Sequence, residues 1–184
     1  MLPSHGPSVM AIQRSIYPTP LHEEFSFIFA RATAFPSGAL VALDGATGAV
    51  LGYASAYPYP AAAALSDPPS LGELNAELIA AALRAPRGAA LFIHEVSVHA
   101  QGRGIGKLLM QRLLGLGREL GLARAILVSV LGNKVYYEKM GFRLVRTLPS
   151  YAASVQLAPI EPPLPPTPSF FSDVKEADVM ELEF

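Results

Sequence analysis

Ala90-Leu-Phe-Ile-His-Glu-Val-Ser-Val98, then Gln101-Gly-Arg-Gly-Ile-Gly106, then Lys107-Leu-Leu-Met-Gln-Arg-Leu-Leu-Gly-Leu-Gly117 is the stretch whose reading decides the fold. The first segment is apolar except for His94, Glu95 and Ser97, as a central strand covered on both faces requires. In the third, Leu109, Leu113, Leu116 and Leu120 recur at helical spacing and predict a helix over about Gly104–Leu120. Gly115 and Gly117 each cost that helix about 1 kcal/mol relative to alanine. Glycines between a strand and a helix let successive backbone N–H groups converge on one anion. The positive end of the helix dipole adds to that attraction, as do the charges of Arg103 and Lys107. A phosphate or pyrophosphate is the group such a turn can hold. A P-loop is excluded, because Gln101 stands where its first glycine must be and Leu108 follows Gly106-Lys107. A dinucleotide-binding GxGxxG is excluded by Lys107 in its last place.

Charge outward from this turn is uneven. Residues 84–146 carry eleven lysines and arginines against three acids, a net +8 inside a chain of net charge −1. An anionic ligand or a solvated basic face both account for this excess. A nucleic-acid platform fits poorly, since the basic residues are dispersed and not interleaved with aromatics. The chain has 184 residues, 51% of them apolar and 16% charged, which excludes wholesale disorder and suits one domain. It has no run of apolar residues long enough to span a membrane. The N-terminus does not read as a secretory signal. The absence of cysteine rules out disulfides, a thiol nucleophile and Cys-ligated zinc, and fits a cytoplasmic location. The four histidines have no metal-site spacing, so no metal is expected.

Elsewhere the patterns predict strands at Ser8–Ser15, Ala39–Leu43, Ala49–Tyr57, Ala125–Val130, Phe142–Leu148 and Ala152–Leu157. Helices are expected at about Leu21–Thr33, with Glu23 and Glu24 in its first turns, at Leu71–Leu83 and at Asn133–Met140. Tyr57-Pro-Tyr-Pro60 is expected to break its strand. Pro159–Pro168 is proline-rich and should be extended, dividing a domain of residues 1–158 from a segment and acidic tail at 159–184. The apolar residues of that tail leave open whether it folds back onto the domain.

Gln101-x-x-Gly104-x-Gly106 resembles the acyl-CoA-binding motif of the GNAT N-acetyltransferase superfamily. Tyr136-Tyr-Glu-Lys-Met-Gly-Phe142 is similar to the Y-x-x-x-G-F segment that closes the second half of that family's domain. The resemblance runs from about Tyr17 to Leu157. It implies an α/β fold: a twisted, mainly antiparallel sheet of six to seven strands, flanked by about four helices. Its central parallel pair, Ala90–Val98 and Ala125–Val130, would splay for coenzyme A. It further implies acetyl-CoA as cosubstrate, with pantetheine along Val96, Ser97 and Val98. The pyrophosphate would then lie on Gln101, Gly102, Arg103, Gly104, Ile105, Gly106 and Lys107. Many members place an asparagine seven residues before the motif tyrosine, where this chain has Val130; Asn133 is near but out of register. Asn133 and Tyr136 complete the expected cofactor contacts.

Transfer of an acetyl group to an amine needs a base for the ammonium, donors for the oxyanion and an acid for the thiolate. Tyr137 matches the family's general acid, and its phenol suits that task if its surroundings bring its pKa towards the thiol's. The oxyanion would fall to the N–H of Val96. His94 and Glu95 are the candidate bases; as neighbours on a strand they should face opposite sides, with His94 preferred. Glu24, Tyr53 and Tyr57 are candidates for the wall of an amine site. The expected reaction is direct attack in a ternary complex on a primary amine, a small molecule being favoured. The rival readings are a protein N-terminal or lysine acetyltransferase, and a non-catalytic acyl-CoA sensor. A partner module acting through Pro162-x-x-Pro165 is a further alternative. Neither nucleic acid nor membrane is an expected partner, and the chain is read as a monomer or homodimer.

Overall fold

The computed structural model describes residues 1–69, 76–99, 102–149 and 176–184. Six strands, β1 (Ala39–Leu43), β2 (Val50–Pro60), β3 (Ala89–Val98), β4 (Arg124–Ser129), β5 (Arg143–Pro149) and β6 (Glu176–Glu183), form one sheet in the order β1-β2-β3-β4-β6-β5. Every neighbouring pair is antiparallel except β3 and β4. These two run parallel and pair only through Leu91↔Ala125, Phe92↔Ile126 and Ile93↔Leu127. Beyond Ile93, β3 continues to Val98 without β4 beside it. The sheet therefore opens at its centre, as the resemblance implies.

The helices are α1 (Gly6–Ile16), α2 (Phe25–Ala34), α3 (Ala61–Ser66), α4 (Ala76–Arg84), α5 (Ile105–Glu119) and α6 (Lys134–Glu138). On one face of the sheet Leu109, Met110 and Leu113 of α5 pack in one core with Leu91, Ile93, Leu127 and Met180. A second core joins Tyr57, Phe92, Ile126 and Val179 to Ala64 of α3 and Ile79 of α4. A smaller one sets Val9, Ile12 and Ile28 of α1 and α2 around Tyr53. Full burial of each such large side chain contributes about 1.5–3 kcal/mol. Gly117 has a packing reason: a Cβ there would lie 2.5 Å from the Phe184 ring, so glycine admits the chain end against α5.

The local sequence misleads in three places and leaves a fourth, the tail, open. Ser8–Ser15, expected as a strand, is part of α1; Pro7 in its first turn and the burial of Val9, Ile12 and Gln13 mark a helix. The helix expected from Leu21 begins only at Phe25, with Glu24 as its N-cap, so Glu23 precedes it. Tyr57–Pro60 does not break β2. β1 pairs no further than Ser55, so the far half of β2 has a free edge on which Pro58 and Pro60 need no N–H. The tail folds back: β6 lies between β4 and β5, with Val179 and Met180 fully buried. The sheet thus takes an inner strand from beyond the boundary expected at residue 158. The strand expected at Ala152–Leu157 and the proline-rich segment lie outside the described residues.

This strand also accounts for part of the charge asymmetry. Glu181 is 3.2 Å from both Arg124 and Arg143, and Arg143 also reaches Glu183 at 3.2 Å. Arg146 donates through Nε to the Leu65 carbonyl at 2.8 Å. Three of the basic residues are therefore engaged within the fold, away from the glycine turn.

Candidate active site

The site grows from the opening in the sheet. The glycine turn leads into α5 with Gly102 at φ +79 and Gly104, its N-cap, at φ +75, conformations that side chains resist. Space for a Cβ is open at both, so the backbone there is bare to an approaching ligand. A groove of about 420 Å³ runs along this turn and the unpaired end of β3. Val96, Val98, Gly102, Gly104, Ile105, Gly106 and Lys107 line it on one side, and Asn133, Tyr136 and Tyr137 on the other. The Tyr136 hydroxyl would stand 3.4 Å from a Cβ at Gly106. Ser97 is buried and turns its hydroxyl to Glu95, away from the expected cofactor contact. Arg103 is exposed and does not line the groove, and Gln101 is outside the described residues.

At its inner end the groove meets a cavity of about 90 Å³; Ile16, Val96, Asn133 and Tyr137 line both. Val130, seven residues before Tyr137, lines the cavity. Here the strand register corrects an expectation. Ser55 pairs with Glu95 and Ala56 with Ile93, which leaves His94 as the extra residue of a bulge in β3. A bulge re-aims side chains. His94 and Glu95 consequently line the same cavity and do not divide between two faces.

Glu95 is held by one oxygen. Its Oε1 accepts from the Tyr53 hydroxyl and from Ser97 Oγ at 2.9 Å, while Ser97 Oγ lies 3.2 Å from the Tyr17 hydroxyl. Its Oε2 is buried and has no hydrogen-bond partner among the described residues. Burial pushes the Glu95 carboxyl up to about 7; the Glu23 charge adds to this, and the Tyr53 and Ser97 hydrogen bonds and Arg31 oppose it.

His94 is engaged on both sides of its ring. Nδ1 is 3.2 Å from the Tyr57 hydroxyl, and Nε2 is 3.3 Å from Glu23 Oε2. Glu23 forms a two-pronged pair with the buried Arg31, whose Nη1 donates to Oε1 at 2.9 Å and whose Nη2 donates to Oε2. Its backbone N–H donates to Gln13 Oε1 at 3.0 Å. Burial pushes the Glu23 carboxyl up, but His94 and Arg31 together outweigh it and hold it well below the usual carboxylate range. Burial, with smaller additions from Tyr136 and Glu95, pushes the Tyr137 phenol up to about 12. That is opposite to the approach towards a thiol pKa that its acid role favours, because no cation is among the groups acting on it.

The expected acceptor wall is differently built. Tyr53 and Tyr57 do not line the cavity; they are almost fully buried behind it, bonded to Glu95 and His94. Glu24 is exposed at the start of α2 and is not in the cavity. Its neighbour Glu23 is there instead, with Gln13, Tyr17, Leu21 and Phe92. By the resemblance, His22, Glu23 and Glu24 begin a helix that edges the acceptor cleft, but helix-start electrostatics is the favoured reading of all three, so Glu23 is not singled out by the sequence. Its partner Arg31 becomes adjacent only when α2 folds.

The chain belongs to the acetyltransferase (GNAT) family, whose model matches residues 7–142. It is thus an acetyl-CoA-dependent acyltransferase by family. Among solved structures it is similar to a GNAT-like decarboxylase, GphF, in complex with isobutyryl-CoA: TM-score 0.69, 20% identity, 100% of this chain and 96% of that one covered. It is similar to Arabidopsis thaliana Naa50 with a bisubstrate analogue, at TM-score 0.64 and 15% identity, covering 100% and 95% of the two chains. It is also similar to Drosophila melanogaster polyamine N-acetyltransferase, at TM-score 0.60 and 18% identity over 95% and 91%. At these identities the likeness is one of fold. The search of curated proteins found no match.

Proposed function

We propose that this protein transfers the acetyl group of acetyl-CoA to the primary amine of a small molecule by direct attack in a ternary complex, with Glu95 as the general base. One observation carries this reading: Glu95 lines the cavity at the end of the groove, with one oxygen tied and the other buried without a hydrogen-bond partner among the described residues. A carboxylate near 7 accepts a proton at neutral pH and returns it to solvent between turnovers. His94 is the weaker candidate because both ring nitrogens already face partners.

In the proposed reaction the groove takes the pantetheine arm and the glycine turn takes the pyrophosphate. Bare backbone at Gly102 and Gly104 and the charge of Lys107 suit a phosphate-bearing ligand. The substrate ammonium loses one proton to Glu95 Oε2, the freed nitrogen forms a bond to the thioester carbonyl carbon, and the nitrogen's second surplus proton passes to solvent as the tetrahedral intermediate collapses. The Val96 N–H holds the oxyanion. The C–S bond then breaks, and the thiolate leaves against the Tyr137 hydroxyl. With its phenol near 12, Tyr137 stays protonated at neutral pH and acts as a hydrogen-bond donor to the departing sulfur. Solvent supplies the thiol's final proton.

The cavity's chemistry narrows the acceptor. Two carboxylates line it, and no lysine or arginine does among the described residues. Arg31, the nearest cation, has both terminal nitrogens on Glu23. An amine bearing its own carboxylate finds no counter-charge there, whereas a compact amine packs its body on Leu21, Phe92 and Leu127. Cytoplasmic residence belongs to the same proposal. It is supported by the cysteine-free sequence, and no helix among the described residues is long and apolar enough to cross a membrane.

The test is thiol release from acetyl-CoA with a panel of small amines, amino acids and peptides with free N-termini, beside a titration of CoA binding. Turnover with compact, carboxylate-free amines is expected. Turnover confined to peptides would replace the acceptor, and CoA binding without turnover on any amine would defeat the enzymatic reading of the cavity.

A further inference from the structure

Two carboxylates share the wall of one buried cavity, and the proposed reaction uses only one of them. We infer that the other, Glu23, is a positioning residue: it fixes the His94 ring beside the cavity and stands as a permanent negative charge that Glu95 must feel. The inference rests on Glu95 being the base.

Glu23 is fixed by three separate elements. Gln13 of α1 accepts its backbone N–H at 3.0 Å, Arg31 of α2 grips both carboxylate oxygens, and His94 of β3 lies 3.3 Å from Oε2. Its side chain and that of Arg31 are 2% and 0% exposed. Taking two charges this far out of water costs several kcal/mol per ion, and apolar side chains of the same volume often fill such a place as well. Packing alone therefore does not explain an acid here. Its placement does: it ties three elements to the bulge that carries His94 and Glu95, and it stays ionised beside a second acid. Like charges in one buried site drive the two proton affinities apart. Glu23, gripped through both oxygens by Arg31, keeps its charge, and Glu95 is left as the group that takes the proton.

The other groups facing Glu95 are accounted for. Tyr53 of β2 and Ser97 of β3 bond its Oε1, Tyr17 at the end of α1 meets Ser97, and Tyr137 of α6 lines the same cavity. None of these hydroxyls carries charge at neutral pH. Glu23, Arg31 and His94 are the other members of the network among the described residues. Glu23 raises Glu95 more than Arg31 lowers it.

The experiment is the titration of the Glu95 carboxyl, by carbon-13 NMR of the full chain saturated with CoA, in the parent and in Glu23→Gln. The expected result is a fall in the Glu95 midpoint of at least about one pH unit, since unit charges within about 12 Å of each other at an effective dielectric near 20 interact by that much or more. In parallel, the ratio of variant to parent kcat/KM should be higher at pH 6 than at pH 8. A folded Glu23→Gln protein with an unchanged midpoint, or with activity scaled by one factor at every pH, overturns the inference. If Glu23→Gln does not fold, Glu23→Asp keeps the Arg31 pair while drawing the charge back from His94 and Glu95. It should shift the midpoint in the same direction by less, and no shift there overturns the inference equally. The titration is read without turnover, so loss of the base reading through Glu95→Gln and loss of this inference are separate results.

Discussion

The cofactor groove and the acceptor cavity meet at Ile16, Val96, Asn133 and Tyr137, yet they are built in opposite ways. The groove is local: one strand end, one glycine turn and one helix start supply most of it within residues 96–107, and its chemistry is that of bare backbone and open space. The cavity is lined from α1, the turn after it, β3, β4 and α6 and backed by side chains of α2 and β2, and its chemistry is that of buried charges and hydroxyls bonded to one another. A phosphate-holding turn can be written in a few consecutive residues because N–H groups of neighbouring residues converge. A tuned carboxylate requires partners from all sides, and these come from distant parts of the chain.

Substitutions can separate the two regions. The largest expected effect is in the cavity: Glu95→Gln should lower kcat by 100-fold or more while CoA affinity stays within twofold. In the parent, kcat/KM should rise with pH through a midpoint near 7, where Glu95 deprotonates, and this limb should vanish in the variant. Retention of the limb would return the base role to His94. Next is stability. The Glu95 carboxyl is raised from an ordinary value of 4.5 to about 7, so the folded state binds more protons than the unfolded state across that window. Stability should therefore fall as pH rises from about 4.5 to 7. Glu95→Gln, having no charge to bury, should gain over the parent by up to about 3 kcal/mol at pH 8 and by little at pH 4, as read by denaturant unfolding.

Tyr137→Phe should reduce kcat about tenfold and leave CoA binding intact, a loss of about 1.4 kcal/mol. Turnover equal to the parent's would mean that the thiolate leaves without this hydroxyl. The groove gives the smallest effect. Gly104→Ala places a side chain at φ +75, at a cost of about 1–2 kcal/mol to the turn, and should weaken CoA binding by roughly tenfold or less. The Glu95 midpoint should not move. If it does, the groove and the cavity are coupled more tightly than their separate construction implies.

The sequence by itself determined the central strand, the glycine turn and α5, since each is a pattern over a few neighbouring positions, and its resemblance to the family pointed to Tyr137 and to most of the residues that line the groove. It also narrowed the base to His94 and Glu95. Tertiary structure gave the two different surroundings, because the bulge at His94 exists only against β2 and the ring's partners come from Glu23 and Tyr57. It turned Tyr53 and Tyr57 from presumed wall residues into supports, since pairing with β3 faces them inward. It made an inner strand of an acidic tail, because Glu181 and Glu183 meet Arg124 and Arg143 only across the sheet. Hydrophobic period and glycine geometry are short-range and legible along a chain. Burial, charge pairing and proton affinity depend on what the fold brings within a few ångströms, and for those the three-dimensional arrangement is the deciding term.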